Sequence, residues 1–239
     1  MKSSHSGSPM ILPYSATTVA EAIHALLDEA AAAHGRATLA IPGGRSPGPV
    51  LTALAKMLDP FVRDRLHLLW VDERGVPVGH PDRNDLVTLA AWQAGGPLPA
   101  QVHPMPAEQE DLEAAALAYT ATLHAATGGR PLDVVLLGIG EDGHIASLFP
   151  NHDGLKELAE TFAVYDSPKP PPRRLSFSLP VLKAARTRII LALGAAKAPI
   201  VRALENGPNP TVPVTLLAQP GTYCYADDAA ASGNSYIPC

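Results

Sequence analysis

The chain has 239 residues and a formal net charge of −5, with 46% hydrophobic and 17% charged residues. That length suits one large α/β domain whose core needs no covalent staples, and the acidic balance argues against nucleic acid, which demands a basic face. With no apolar run near the roughly 20 residues of a membrane span and no signal-like start in "MKSSHSGSP", the composition predicts a cytoplasmic protein with no membrane partner.

Along the chain, residues 1–16 carry no pattern and read as a flexible N-terminus. Thr17 or Thr18 can cap a helix in which Val19, Ala22, Ile23, Leu26, Leu27 and Ala30 recur on one face. A strand "TLAI" (38–41), a glycine turn and a helix over 48–57 follow. The strand "LHLLWV" (66–71) leads through a long loop to a helix near 85–93; a further helix spans 109–126, and 132–137 reads as a buried strand. "TFAVY" (161–165), "LSFSL" (175–179) and "RIILAL" (188–193) are strand candidates, with a helix over 196–205. Two cysteines, Cys224 and Cys239, give neither a disulfide framework nor a four-ligand zinc site, so both are expected to be reduced and inert. Residues 232–239 read as a frayed tail. Buried strands alternating with helices predict a single α/β domain over 17–231, a three-layer sandwich around a mostly parallel, doubly wound sheet, with its site at the strand ends.

Four loops could carry chemistry. In "IPGGRSP" (41–47), Gly43 and Gly44 can bring N–H groups to an anion at a helix start; the same residues can also make a simple turn. "WVDERGVP" (70–77) sets Asp72, Glu73 and Arg74 just past a buried strand, facing a site or forming an exposed, ion-paired loop. "LLGIGEDGHIASLF" (136–149) contains GxGxxG, a dinucleotide fingerprint in which Asp166 could serve the ribose. Pro150 arrives too soon for the helix which that fingerprint requires. A glycine loop presenting Asp142 and His144, with the imidazole as general base, is the preferred reading. The fourth region joins "SPKPPPRR" (167–174) to "GAAKA" (194–198), where Lys169, Arg173, Arg174 and Lys197 lie near strand ends or helix starts. Lys197 at a helix start is unfavourable unless an anion visits.

Taken together, "PGGRSP", "VDERGVP" followed by "PDRND", "LLGIGEDGHIASLFPNH", "SPKPPPRRLSFSLPVL" and "GAAKA" stand in the order and at the distances of the 6-phosphogluconolactonase family. The resemblance covers about residues 18–231. It implies a sugar-phosphate isomerase-like fold and hydrolysis of 6-phospho-D-glucono-1,5-lactone to 6-phosphogluconate in the oxidative pentose phosphate pathway, with no metal or organic cofactor. By matching motif, His144 resembles the family's general base and Asp142 its orienting partner. Gly43, Gly44, Arg45 and Ser46, with Arg174 and Lys197, resemble the phosphate site, and Asp72, Arg74 and Lys169 substrate-contacting groups. The implied partner is a small sugar-phosphate lactone, and the implied assembly a monomer or weak homo-oligomer. "TVPVTLL" (211–217) and "YCYADD" depart from the family's late helix and last strand.

Three rival readings remain. Glucosamine-6-phosphate deaminases share the fold but carry a tyrosine after the Asp-Glu pair, where Arg74 stands here, and "AFNEP" where this chain has "ASLFP". A sugar-phosphate-sensing regulatory domain would be joined to a DNA-binding segment, for which the stretch before the first helix is too short. The nucleotide-dependent oxidoreductase fails on the missing helix.

Overall fold

The computed structural model describes residues 9–232. In chain order the elements are β1 (Met10–Pro13), α1 (Ala16–His34), β2 (Ala37–Ile41), α2 (Gly48–Met57), α3 (Pro60–Arg63), β3 (Leu66–Trp70), β4 (Asp72–Arg74), α4 (Asn84–Gln93), β5 (Gln101–His103), α5 (Leu112–Thr127), β6 (Val134–Gly138), β7 (Thr161–Val164), β8 (Arg174–Phe177), α6 (Leu179–Ala184), β9 (Thr187–Ala192), α7 (Ala198–Leu204), β10 (Thr222–Ala226) and α8 (Asp228–Ala231). Short 3-10 turns stand at Asp153–Lys156, Ala195–Lys197 and Pro213–Leu217.

Seven strands form a sheet in the order β1-β10-β9-β6-β2-β3-β5, every neighbouring pair parallel. Parallel strands are buried on both faces, and β2 and β9 accordingly have no exposed residue. Going from β2 to β3 to β5 the chain steps one way across the sheet, with α2 and α4 as crossovers. It then returns through α5 to β6 and steps the other way to β9 and β10. Because such crossovers are right-handed, reversing the direction moves the connecting helix to the opposite face. Hence α1, α2 and α4 pack together, while α5 packs against a small antiparallel sheet, β4-β8-β7. The mostly parallel, three-layer arrangement predicted from sequence is the one found, with that second sheet as an addition.

The reversal makes the β2/β6 boundary the topological switch point, where open α/β sheets hold their ligands. At its amino end the boundary is locked by side chains: the Asp133 carboxylate accepts from Thr38 N and Thr38 Oγ1 at 2.9 and 2.8 Å, and Thr38 Oγ1 accepts from Asp133 N at 2.8 Å. All of these groups are buried, so water cannot replace the lost partner if one is removed.

Several local differences from the sequence reading have plain causes. Ser15, rather than Thr17 or Thr18, caps α1, its hydroxyl accepting from Thr18 N, and Gly35 ends the helix at φ +67°. Within the segment expected to be flexible, Met10–Pro13 pairs with β10 and Tyr14 N donates to Ala226 O, so this part is an edge strand. The predicted 175–179 strand stops at Phe177, because Pro180 sits in the first turn of α6. The 196–205 helix is divided into a 3-10 turn and α7, with Pro199 opening the latter. Residues 1–8 and most of the predicted tail, Cys239 included, lie outside the described residues. Cys224 is free and buried on β10, and burial pushes its thiol up to about 12, which disfavours the thiolate. Among the described residues, no helix is long and apolar enough to cross a membrane.

Candidate active site

The carboxyl ends of β2 and β6 open into a cavity of about 230 Å³. Its wall contains Gly43, Gly44, Arg45 and Ser46 after β2, Asp72 and Arg74 on β4, His144 after β6, and Arg174 on β8. Residues separated by more than a hundred positions in sequence therefore converge, because four strand ends meet at the switch point. The volume falls below the ~300–1,000 Å³ typical of drug-sized ligands, which suits a small polar molecule.

The first wall is the turn between β2 and α2. Gly44 adopts φ +85°, which a side chain would strain. The N–H groups of Gly44, Arg45 and Ser46 make no hydrogen bond to another described residue, and they precede the start of the ten-residue α2. Free amides and the positive end of the helix dipole thus meet on the part of the wall that Arg45 also lines. An anion is the natural occupant. Gly43 has a different reason to be glycine: a Cβ there would fall 1.7 Å from Asn84 Oδ1.

Asn84 belongs to the second wall, and the sequence reading did not single it out. Its Nδ2 donates to Asp72 O at 2.8 Å and lies 3.3 Å from Asp72 Oδ1. Two acceptors on that side fix the amide orientation, since a flipped Asn84 would set oxygen against oxygen. Its Oδ1 is consequently left buried over Gly43 without a hydrogen-bond donor. Glu73, fully buried, accepts from the N–H groups of Arg74, Asn84 and Asp85 at 2.7, 2.7 and 2.9 Å and so caps α4. Burial outweighs those three hydrogen bonds and pushes its carboxyl up to about 7. Arg83 stands behind it; burial opposes its charge, but Asp85 and Glu108 outweigh that and raise its pKa. Asp72 joins the walls, its Oδ2 accepting from Ser147 Oγ at 2.8 Å and lying 3.7 Å from Arg174 Nη1.

The third wall is the glycine loop after β6. Where the dinucleotide reading needs a helix, the chain turns: Gly143 has φ +80°, Ala146 has φ +47°, and Ile145 bridges Leu148. Asp166, the candidate ribose partner, is exposed and pairs with His152 at 2.9 Å. The loop folds back on itself. Gly140 N donates to His144 O at 2.9 Å, and a Cβ on Gly140 would meet His144 Nδ1 at 1.9 Å, so only glycine lets the imidazole lie there. Val212 packs on Gly143, and Val214 N donates to Gly143 O, so the unusual "TVPVTLL" segment supports this loop from outside.

His144 Nδ1 lies 2.6 Å from Asp142 Oδ1, and Asp142 Oδ1 also accepts from His144 N at 3.2 Å. A carboxylate this close requires the proton on Nδ1. Nε2 is left as the bare ring nitrogen, without a partner among the described residues. Burial lowers the His144 pKa below its usual 6.5 and outweighs the opposing pull of Asp142. For Asp142, burial acts upward, but the hydrogen bonds and charges of His144 and Lys169 prevail and hold its carboxyl at about 2. The Phe149 ring lies 4.8 Å from the imidazole and 5.7 Å from the Arg174 guanidinium carbon.

Arg174 is almost fully buried. Its Nη2 donates to Lys169 O at 2.9 Å and its Nε to Pro171 O at 3.2 Å, so it shapes the proline segment as well as lining the cavity. Burial lowers its pKa, against the pull of Asp72. Arg74 Nη1 donates to Asp82 O, while its buried Nε has no partner. Lys169 and Lys197 are not part of the cavity wall. Lys169 approaches Asp142 instead, and Lys197 sits ahead of α7, where burial lowers its pKa and Glu141 opposes that. Among the described residues, no three His, Cys, Asp or Glu side chains group as metal ligands would.

A doubly wound parallel sheet, with free amides, arginines and an imidazole–carboxylate pair around one switch-point cavity, defines an α/β protein with a small anion-type site. Residues 14–225 match the family of glucosamine-6-phosphate isomerases/6-phosphogluconolactonase, and the chain belongs to that family. It is 42% identical over 195 residues to a 6-phosphogluconolactonase of Streptomyces coelicolor, covering 75% of this chain and 74% of the relative. A Mycobacterium tuberculosis 6-phosphogluconolactonase is 40% identical over 191 residues, covering 76% and 77%. The solved 6-phosphogluconolactonase of Trypanosoma brucei superposes with a TM-score of 0.79 at 25% identity, over 96% of this chain and 100% of that one. A monomeric glucosamine-6-phosphate deaminase superposes with a TM-score of 0.77 at 20% identity, over 93% and 99%, which shows the shared fold.

Proposed function

We propose that this chain hydrolyses 6-phospho-D-glucono-1,5-lactone to 6-phosphogluconate in the cytoplasm, with His144 activating water. The observation that carries the reading is that His144, with its Nε2 bare, and a turn whose amides are free of protein hydrogen bonds line the same small cavity. A substrate with a reactive carbonyl at one end and a phosphate at the other fits that division. The relatives from Streptomyces coelicolor and Mycobacterium tuberculosis are themselves 6-phosphogluconolactonases.

In this reading Gly43, Gly44, Arg45 and Ser46 take the phosphate, with Arg174 and Lys197 adding positive charge. Asp72 accepts from a sugar hydroxyl. Nε2 of His144 takes a proton from water as the oxygen adds to the lactone carbonyl. The resulting oxyanion is met by the guanidinium of Arg74, a residue of the cavity wall. When the tetrahedral intermediate collapses, the ring C–O bond breaks and the leaving oxygen takes the proton back from the imidazolium. Asp142 holds the ring in the tautomer this cycle needs.

The experiment is hydrolysis of the phosphorylated lactone, followed by acid release and corrected for the spontaneous reaction. A rate far above background supports the reading; a rate equal to background refutes it.

A further inference from the structure

Lys169 is expected from sequence to touch substrate, yet its ammonium is already engaged elsewhere. Nζ lies 3.1 Å from Asp142 Oδ2 and 3.2 Å from His144 Nδ1. The backbone explains this placement. Ser167 Oγ donates to Lys169 O, Lys169 N lies 3.3 Å from Ser167 Oγ, and buried Arg174 donates to the same Lys169 carbonyl. Residue 169 is thereby held over the His144–Asp142 pair, off the cavity wall.

An ammonium can only donate, and Nδ1 already carries the proton shared with Asp142. The contact between Lys169 and the ring is therefore one of charge. It acts in two ways, both in the same direction. The cation opposes formation of an imidazolium beside it, and it draws on the Asp142 carboxylate that would otherwise stabilise that imidazolium.

We propose that Lys169 is a positioning residue that sets the protonation of His144, keeping the imidazole neutral and Nε2 bare, and that it does not bind substrate. The other charges facing the ring act oppositely: Asp142 from the same loop and Asp72 from β4 both favour the imidazolium. Arg174 on β8 stacks on the Phe149 ring, which also packs on the imidazole, and no hydrogen bond joins Arg174 to His144. Lys169 is thus the cation in direct contact. Burial of the ring also disfavours its charge; Lys169→Arg, which keeps both the charge and the bulk at position 169, separates the two contributions.

The kinetic arm of the test rests on the proposed role of His144 as base, so the decisive arm is spectroscopic. The ring of His144 is titrated by NMR in the wild type, Lys169→Gln and Lys169→Arg, with its signals assigned by their loss in His144→Gln. The side chain of Lys169 is 43% exposed, and the remaining histidines report whether each variant is folded. Lys169→Gln should raise the titration midpoint of His144 by roughly half to one pH unit, and Lys169→Arg should keep it near the wild type. The acidic limb of kcat/KM should move upward by the same amount, with KM for the phosphorylated lactone little changed. An unchanged midpoint in Lys169→Gln overturns the proposal, and a steep rise in KM with that unchanged midpoint would make Lys169 a substrate contact. If no lactone turns over, the NMR midpoint still decides the role of Lys169, and the failure belongs to the proposed function.

Discussion

Two glycine loops leave neighbouring strands of the same sheet and meet in one cavity, yet they are built differently. After β2 the chain passes through Gly43 and Gly44 into the ten-residue α2, and the free amides stay aligned at a helix start. After β6 it passes through Gly138, Gly140 and Gly143 into tight turns, and the space above Gly140 is filled by the His144 ring. Glycine content does not distinguish the two. The next stretch of chain does: a helix provides an anion site, whereas a fold-back places a side chain over its own backbone. The GxGxxG spelling at residues 138–143 therefore does not describe a nucleotide loop, because the helix that gives that spelling its meaning is missing.

The largest expected effect lies in the fold-back loop. His144→Ala should lower kcat by about a hundredfold or more, the scale of a lost general base, on phosphorylated and unphosphorylated gluconolactone alike. Steady-state kinetics with the background subtracted checks this.

The glycines come next, and they should fail in different parameters. Gly140→Ala forces the imidazole away from Asp142, and a displacement of that size should cost kcat about tenfold to a hundredfold. Gly43→Ala collides with Asn84, so it should raise KM for the phosphorylated lactone and lower stability by about 1–3 kcal/mol. Shortening the obstructing side chain in the pair Gly43→Ala with Asn84→Ser should recover part of that stability in thermal melts. If Gly43→Ala instead lowers kcat equally on both lactones, the division between the loops is wrong.

Sequence distance decides how much of the fold and site was legible in the chain. Asp142 and His144 are two residues apart, so their pairing needs only a local turn, and the spacing displays it. The fold class was legible as well, since β2, β6 and β9 are apolar runs of the kind that parallel sheets bury. The short edge strands β1 and β5 have no such run and exist through pairing with β10 and β3. Asn84 and Ser147 escaped notice, and the inward direction of Glu73 was not legible, for a related reason. Glu73 reaches the α4 start 11 residues on, and Ser147 meets Asp72 across 75 residues. Nothing near any of these residues in the chain marks the contact. Lys169 was recognised as a cation near the site, but its direction, toward Asp142 and away from the cavity, comes from the tether to Arg174 and Ser167.

A smaller effect concerns acid. The folded pKa of His144 lies below 6.5 because its ring is buried, so the imidazole is neutral at pH 7. Activity should hold level there and fall only as pH drops below 6.5, through the lowered value. A fall beginning above pH 7 would place the base in another group.

The division of labour is tested most directly by measuring kcat and KM of His144→Ala and Arg45→Ala on the phosphorylated and the unphosphorylated lactone in parallel. His144→Ala should lose kcat on both substrates. Arg45→Ala should raise KM about tenfold on the phosphorylated lactone, equivalent to about 1.4 kcal/mol, and leave the other lactone unchanged. That KM difference should shrink as salt is added. Equal losses by Arg45→Ala on both lactones, or near-normal turnover by His144→Ala, would contradict the assignment of anion binding to the β2 loop and catalysis to the β6 loop.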